Sequence, residues 1–291
     1  MKRRGFGVLI ATDGSPSARA AVSTAARFPW PEDTETTGLL VRRIYAEYGS
    51  AMSALEEAEE VTAEKARATL RKRWPAAQVE IVSGLPVDTI LSEAQRLRTD
   101  VIVMGWRGHS AIRRVVAGSV SRGVVRSARC SVLVVRRAPT ELDRIVIGFD
   151  GSAHAQRAVD LVAKLSPPRG GRVTLLTVAD IIRDPPSHAL LPSRKRAAVA
   201  RDVRRSNDES VKIARRALLA PARALTAAGW KVEATVTTGA PLEDLLKVVG
   251  DGRAHVLAVG ARGTGGVKQL LVGSVADGAL DRSPVPVLIA R

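Results

Sequence analysis

Short apolar runs alternate with amphipathic helical stretches along the whole chain. In the first half the apolar runs are GVLIAT, GLLVRRIY, QVEIVSG, DVIVMG and CSVLVV. Helical patterns lie between them at SARAAVSTAARF, from about Ala51 to Trp74, and at PVDTILSEAQRL. The second half repeats the alternation with RIVIGFD, RVTLLTV, KVEATVTTG, HVLAVG and VPVLIA.

These runs have the composition of strands that are buried on both faces. Near-continuous Val, Ile and Leu runs separated by helices are typical of parallel sheets covered by helices on both sides. The pattern therefore predicts an α/β fold with doubly wound, Rossmann-like parallel sheets. In such sheets a ligand binds beyond the carboxyl ends of the strands, where the winding direction reverses.

The two halves are copies of one another. Asp13-Gly14-Ser15 recurs as Asp150-Gly151-Ser152, and Val41 matches Val178 at the same offset of 137 residues. An offset of 155 residues relates the later positions Gly105, Gly108, Gly118 and Ser119 to Gly260, Gly263, Gly273 and Ser274. We therefore predict tandem domains at 1–137 and 144–291, with a linker over Arg137–Arg144. The 18 additional residues of the second copy fall in a stretch that contains a basic helical pattern at 194–216.

A repeated glycine and serine spacing is the main candidate for chemistry. GWRGHSAIRRVVAGSVS and GARGTGGVKQLLVGSVA both read G-x-x-G, nine residues, then G-S, and both begin at the end of an apolar run. Glycine allows the backbone to approach an anion closely, so Gly105 and Gly108 can present their amides to phosphate. Gly118-Ser119 then opens a helix, where unpaired amides and the helix dipole favour phosphate. Within the nine residues, Ile112, Val115 and Val116 have helical spacing, as do Val267, Leu270 and Leu271 in the second copy, which predicts a turn packed on the sheet.

With these motifs in register in both halves, the chain resembles a tandem member of the universal stress protein family, in its ATP-binding branch. The resemblance implies strand order 3-2-1-4-5 in each half, ATP at the split between strands one and four, and pairing of the final strands VLVV and VLIA. It also implies a nucleotide-dependent regulator of stress response or growth arrest that binds ATP with or without Mg²⁺.

The family pattern can be carried onto this sequence residue by residue. It implies nucleotide-binding roles in the first half for Ala11, Asp13, Val41, Gly105, Arg107, Gly108, Gly118, Ser119, Val120 and Ser121. In the second half it implies them for Gly148, Asp150, Val178, Asp180, Gly260, Arg262, Gly263, Gly273, Ser274 and Val275. Two departures favour the second half as the better site: Trp106 is bulky for its place, and Arg42-Arg43 stand where the second copy has Ala179-Asp180.

Charge leaves two other functions open. The net charge is +16, shared as +8 in residues 1–140 and +8 in 141–291, which is compatible with phosphate ligands or nonspecific nucleic acid. Nucleic-acid association through 194–216 is one alternative, although 3% aromatic residues are too few for a base-stacking surface. A slow ATPase or phosphotransferase is the other, disfavoured because no G-x-x-x-x-G-K-[ST] motif is present.

Several residues have a simpler interpretation beside the functional one. Asp13 and Asp150 either cap the following helices or contact the nucleotide. Arg113, Arg114 and Lys268 are solvated charges or phosphate contacts. His109 aligns with Thr264 and is expected at the surface. Cys130 aligns with Val285 and is expected to be a buried small hydrophobe rather than a reactive thiol.

The remaining expectations concern cellular context. One cysteine excludes an internal disulfide, and the single Cys and four His form no cluster with metal-ligand spacing. The apolar run Phe6–Ala11 is short for a secretory leader, and no long apolar stretch predicts a membrane span. We therefore expect a cytoplasmic protein without a membrane partner. A homodimer of the two-domain chain is left open.

Overall fold

The structure is a computed structural model that describes residues 5–43, 51–108, 118–182, 192–250, 254–263 and 272–291. The strands of the first half are β1 Phe6–Thr12, β2 Thr34–Arg42, β3 Gln78–Ser83, β4 Val101–Gly105 and β5 Ser131–Val135. The helices of the first half are α1 Pro16–Arg27, α2 Ala51–Arg71, α3 Pro86–Arg96 and α4 Ser119–Ser127.

Among the described residues, the second half repeats this order of elements with one helix more. Its strands are β6 Arg144–Gly148, β7 Arg172–Val178, β8 Lys231–Thr237, β9 Val256–Gly260 and β10 Val287–Ala290. Its helices are α5 Ala153–Lys164, α6 Ser193–Ala217, α7 Leu219–Ala227, α8 Pro241–Val248 and α9 Ser274–Arg282. The α/β class predicted from the strand and helix alternation is confirmed.

Each half contributes five strands to one sheet in the described part of the chain. The order is β3-β2-β1-β4-β5-β10-β9-β6-β7-β8. Within a half every pairing is parallel, and β1 lies between β2 and β4, as β6 lies between β7 and β9. The chain therefore leaves β1 toward one side of the sheet and leaves β4 toward the other, which opens a crevice at their carboxyl ends.

The two halves meet through their last strands. β5 and β10 pair antiparallel, with Leu133 opposite Leu288 and Val132 opposite Ile289. All four side chains are buried. The pairing of VLVV with VLIA that the family resemblance implies is present, and it removes two sheet edges that would otherwise expose unpaired backbone groups.

Apolar layers cover both faces of the sheet. One layer packs Ile10, Val103 and the α1 residue Ala21 together, and the other packs Leu9, Ile102 and the α4 residue Val124. Alternate residues of β1 and β4 thus point to opposite layers, as the pleat requires. Cys130 is partly buried beside this core, and burial raises the pKa of its thiol to about 11.

Strand boundaries differ from the sequence expectation at β2. The strand begins at Thr34, whereas the apolar run predicts a start at Gly38, and it pairs with β1 from Thr34 opposite Phe6 onward. Threonine suits a strand because its branched side chain packs well on a pleated surface. The polar alternation of TETT concealed this start. The predicted end of the strand at Ile44 and Tyr45 lies outside the described residues.

The helices that follow the second strand of each half differ most. α2 buries Ala63, Ala66 and Leu70 against the first half. In the second half the short α7 supplies buried Leu225, while the described residues of α6 are all exposed or half-buried. The basic segment 194–216 is helical as predicted, since it lies within α6. Among the described residues, no helix has the length and apolarity needed to cross a membrane.

Candidate functional site

A cavity of about 550 Å³ lies at the carboxyl ends of the first-half strands. The ten first-half residues with implied nucleotide roles all line it: Ala11, Asp13, Val41, Gly105, Arg107, Gly108, Gly118, Ser119, Val120 and Ser121. They come from β1 and the turn after it, from β2, from β4 and the loop after it, and from the start of α4. The tertiary structure therefore brings together residues that are up to about a hundred positions apart in sequence.

The Asp-Gly-Ser turn after β1 forms one wall of the cavity. Gly14 has a φ of 75°, a conformation that favours glycine. Ser15 is the N-cap of α1, because its Oγ accepts from the amide of Ala18 at 3.2 Å. Asp13 accepts from the amide of Ser15 through Oδ1 at 3.0 Å. Asp13 thus shapes the turn while Ser15 caps the helix.

The second wall is the glycine loop after β4, which is tied to α1. The Ser15 hydroxyl donates to the carbonyl of Arg107 at 3.0 Å. The Ser17 hydroxyl accepts from the amide of Arg107 at 3.1 Å and also contacts its carbonyl. These bonds satisfy the backbone of Arg107 and hold the described part of the loop next to the turn that contains Asp13.

The glycines of the loop have different surroundings. A Cβ on Gly105 would lie 2.6 Å from the backbone nitrogen of Ala18, so this glycine allows β4 to pack against α1. A Cβ on Gly108 would lie 2.5 Å from Oδ2 of Asp13. Gly105 is therefore needed for packing, whereas Gly108 is the glycine at which the backbone faces the Asp13 carboxylate.

The start of α4 closes the site. The amide of Gly118 donates to the carbonyl of Trp106 at 2.9 Å, which brings the loop and the helix start together. Gly118 is the N-cap and brings no capping side chain, so it leaves the first-turn amides to other partners. The Ser121 hydroxyl donates to the Trp106 carbonyl at 2.8 Å and is buried. Of the two serines at this helix start, Ser119 is therefore the one whose side chain is exposed.

Trp106 does not obstruct this cavity. Its side chain is buried between the halves, and its Nε1 donates to the carbonyl of Leu280 in α9 at 2.9 Å. The guanidinium carbons of Arg107 and Arg136 lie 4.0 Å and 3.7 Å from the ring centroid. Trp106, although bulkier than the family pattern implies, thus strengthens the contact between the halves and does not fill the cavity of the first half.

Arg42 and Arg43, the other departure, have separate surroundings. Arg43 lines the cavity. Arg42 forms ion pairs with Glu59 at 2.5 Å and Glu56 at 3.2 Å, both on α2. The hydrogen bond to Glu59 raises the pKa of Arg42. This pair joins the end of β2 to the helix that covers the cavity.

The second half repeats the geometry of the turn and loop. The Ser152 hydroxyl accepts from Ala155 at 3.1 Å and donates to the carbonyl of Arg262 at 3.2 Å. A Cβ on Gly263 would lie 2.6 Å from Oδ2 of Asp150. This repeats the close approach between Gly108 and Asp13. Gly273 is the N-cap of α9, which begins with Ser274 and Val275.

Side chains at the ends of the first two strands differ between the halves. Gly148 replaces Ala11, and a Cβ there would lie 3.0 Å from the side chain of Leu245. The next residue is the buried Phe149 where the first half has Thr12. Val178 is the last residue of β7, and Asp180 lies two residues beyond it, exposed.

Sequence reasoning missed the contribution of α2 to the first cavity. Leu55, Ala58, Glu59 and Thr62 all line it. They lie one turn apart on one face of the helix, so their spacing was the available signal. Their mixed chemistry obscured it, because an apolar stripe is what helix patterns usually reveal.

Some sequence predictions lie outside the described residues. These are the positions between the paired motifs: Ile112, Val115, Val116, Val267, Leu270, Leu271, His109, Arg113, Arg114, Thr264 and Lys268.

Comparison with known proteins identifies the architecture that carries this cavity. A model described as the universal stress protein family matches residues 7–136 and again residues 141–291. The chain belongs to the universal stress protein family. Two tandem matches agree with the duplicated Asp-Gly-Ser and glycine motifs.

Two curated relatives and one solved structure align with almost the whole chain. A universal stress protein of Mycobacterium bovis is 24% identical over an alignment that covers 98% of this chain and 95% of that protein. One of Mycolicibacterium smegmatis is 26% identical, with coverage of 98% and 97%. The crystal structure of a universal stress protein from Archaeoglobus fulgidus DSM 4304 is 21% identical, covers 99% of both chains and has a TM-score of 0.67. That likeness shows that this universal stress protein shares its fold.

Proposed function

We propose that this universal stress protein binds ATP in the cavity of its first half and in the corresponding place of its second half. We further propose that it acts as a nucleotide-dependent regulator in stress or growth arrest and not as an enzyme. One observation carries the proposal: the ten residues implied by the family motif in the first half converge on a single cavity. Its volume lies within the range of small-molecule sites, about 300–1,000 Å³.

Groups suited to phosphate line the cavity near the glycine loop and the start of α4. Arg107 follows β4 and lines the cavity, and the amides at the start of α4 lie at the positive end of a helix dipole. The exposed hydroxyl of Ser119 adds a donor at the same helix start. A triphosphate placed between the glycine loop and α4 would meet these donors together.

Apolar side chains line another part of the cavity. Leu39 from β2, Ile90 from α3 and Met104 from β4 line it and belong to one packed layer. An adenine ring in contact with these side chains would be removed from water on its faces. Backbone groups at Val41 would then be available to the ring edge, as the family pattern implies.

The lining residues favour binding over catalysis. The described lining residues include no histidine, lysine or cysteine, and the carboxylates among them are Asp13 and Glu59. Glu59 pairs with Arg42, and Asp13 accepts the Ser15 amide. Both carboxylates therefore have structural partners, which favours a structural role for them over that of a general base.

Release of bound nucleotide tests the proposal. Purified protein is denatured, and released nucleotides are identified by chromatography and counted per chain. Gly108→Val and Gly263→Val, made singly, are each expected to lower the ratio from about two to about one, with Leu85→Val as an exposed control. ATP titration with and without Mg²⁺ measures the affinity.

Two outcomes would contradict the proposal. One is a folded protein that neither carries nor takes up adenine nucleotide. The other is ATP turnover that both glycine substitutions abolish, which would make the chain an enzyme.

A further inference from the structure

A basic helix on the second half is not explained by nucleotide binding. α6 carries nine Lys and Arg against three Asp and Glu, a net charge of +6 in 25 residues. α2, which follows the second strand of the first half as α6 follows that of the second, carries three basic and five acidic residues, a net charge of −2. The two halves carry the same net charge of +8, so this charge reversal is a local difference between corresponding helices.

The basic side chains of α6 form a line on its outer face. Arg194, Arg201, Arg205, Lys212 and Arg216 follow one another at intervals of seven and four residues, and all are exposed. Such intervals keep side chains on one side of a helix. With a rise of 1.5 Å per residue, α6 is about 37 Å long. The line therefore forms a straight, mainly cationic edge, with the exposed Asp208 and Glu209 beside it between Arg205 and Lys212.

The opposite face attaches the helix to the body of the protein. Val203, Asn207 and Ala214 are half-buried. The Asn207 side chain accepts from the amide of Ile182 at 2.8 Å and donates to its carbonyl at 3.0 Å. This double hydrogen bond sets the rotation of α6, so the basic line faces away from the body.

The cations of the line are available to an external partner. Arg201, Arg205 and Arg216 form no ion pair with another described residue, and Lys212 lies 3.8 Å from Glu209. Seven of the nine basic residues of α6 are arginine. The planar guanidinium matches the oxygens of a phosphate group better than an ammonium does.

We propose that the outer face of α6 binds the phosphate backbone of double-stranded DNA without sequence preference. The regular phosphates of a duplex, about one per 1.7 Å of axis, suit a rigid row of charges that spans about 33 Å from Arg194 to Arg216. α6 contains no aromatic residue, and base stacking on aromatic rings is what favours single strands. Val199, Val203 and Val211 are half-buried against the protein, and Ile213 is the one large apolar side chain that the described residues of α6 expose. This is too little apolar surface for insertion into a lipid layer.

Fluorescence anisotropy with a labelled duplex of about 30 base pairs and the full chain tests this binding over a range of salt concentrations. The test variant is Arg201→Gln, Arg205→Gln and Lys212→Gln together. The control variant is Lys65→Gln, Lys72→Gln and Lys164→Gln, which removes the same charge from exposed positions elsewhere. Glutamine is a good helix former, and circular dichroism checks that α6 persists.

We expect the unsubstituted chain and the control to bind alike, and the test variant to bind at least about tenfold more weakly. The slope of log K against log salt is expected to become shallower by about 2 to 3, close to 0.9 per lost phosphate contact. A chain with Gly108→Val and Gly263→Val should still bind DNA, which separates this outcome from that of the nucleotide proposal.

Several results would overturn the proposal. Equal weakening in the test and control variants would assign binding to overall charge. Tighter binding to a single strand of the same sequence, or retention on anionic vesicles but not on the duplex, would assign the face to another partner. Failure of the unsubstituted chain to bind the duplex at low salt would also reject it.

Discussion

The backbone at Gly108 faces the Asp13 carboxylate so closely that a Cβ would lie 2.5 Å from Oδ2. The same relationship joins Gly263 to Asp150, at 2.6 Å. In both halves the glycine loop and the turn after the first strand thus form one unit. An added methyl group would meet the end of a side chain, which can rotate away.

Gly108→Ala is therefore expected to affect binding more than stability. The methyl group should displace the Asp13 carboxylate at a cost of about 1 kcal/mol or less to the free energy of unfolding, while ATP affinity falls at least about tenfold because the methyl group and the displaced carboxylate change the cavity wall that positions the nucleotide. Calorimetric ATP titration and urea unfolding measure the two effects. An unchanged ATP affinity would show that the backbone at Gly108 does not lie close to the bound nucleotide.

Gly105→Ala is expected to lower the stability of the fold more than the ATP affinity. Its Cβ would lie 2.6 Å from the Ala18 nitrogen, a backbone atom that α1 holds in place. Overpacking of this kind costs about 1–3 kcal/mol. Urea unfolding of Gly105→Ala beside Gly108→Ala compares the two loop positions directly. The interpretation fails if both substitutions cost the same stability.

Trp106→Ala should weaken the contact between the halves. The indole is 8% exposed, donates to the Leu280 carbonyl and lies between Arg107 and Arg136. Its removal should cost about 3–5 kcal/mol in the free energy of unfolding.

Trp106→Phe keeps most of the packing but loses the hydrogen bond. It should cost less than the alanine substitution, because most of the ring packing is kept. The remaining cost, about 1–3 kcal/mol, comes from leaving the Leu280 carbonyl without its donor. Denaturant unfolding of both variants provides the measurement. A smaller effect of alanine than of phenylalanine would contradict this account of the interface.

Cys130 predicts a defined pH dependence. Burial raises the pKa of its folded thiol to about 11, against about 8.5 in an unfolded chain. The folded state therefore favours the protonated thiol, and this contribution to stability is present below about pH 8.5 and lost as the pH rises toward 11. The Cys130→Val variant, which has the valine found at Val285 of the second half, should lose less stability between about pH 8 and pH 10 than the unsubstituted chain. Urea unfolding of both proteins at those two pH values measures the difference.

Alkylation provides an independent check on the same thiol. Iodoacetamide reacts with the thiolate, so Cys130 should react slowly in the native protein at neutral pH and rapidly in denaturant. Mass spectrometry over time measures the difference. Equal rates in both states would show that the thiol is not shielded from the reagent and that its pKa is not raised.

The sequence by itself determined the α/β class, the duplication and the motifs that line the first cavity. Parallel strands buried on both faces require continuous apolar runs, and the carboxyl ends of such strands meet at one edge of a sheet. Asp13, Gly105 and Gly118 could therefore be assigned to one place from their position after apolar runs. The order of apolar runs and motifs along the chain is sufficient for that assignment.

Only the tertiary structure decided which neighbour each side chain contacts. The direction of Trp106 depends on α9, which lies more than 150 residues away in sequence. The cavity wall formed by α2 depends on how that helix packs, and the Ser121 hydroxyl turns to the Trp106 carbonyl once the loop closes. These outcomes are set by long-range packing and by the need to satisfy buried polar groups, which no local pattern encodes.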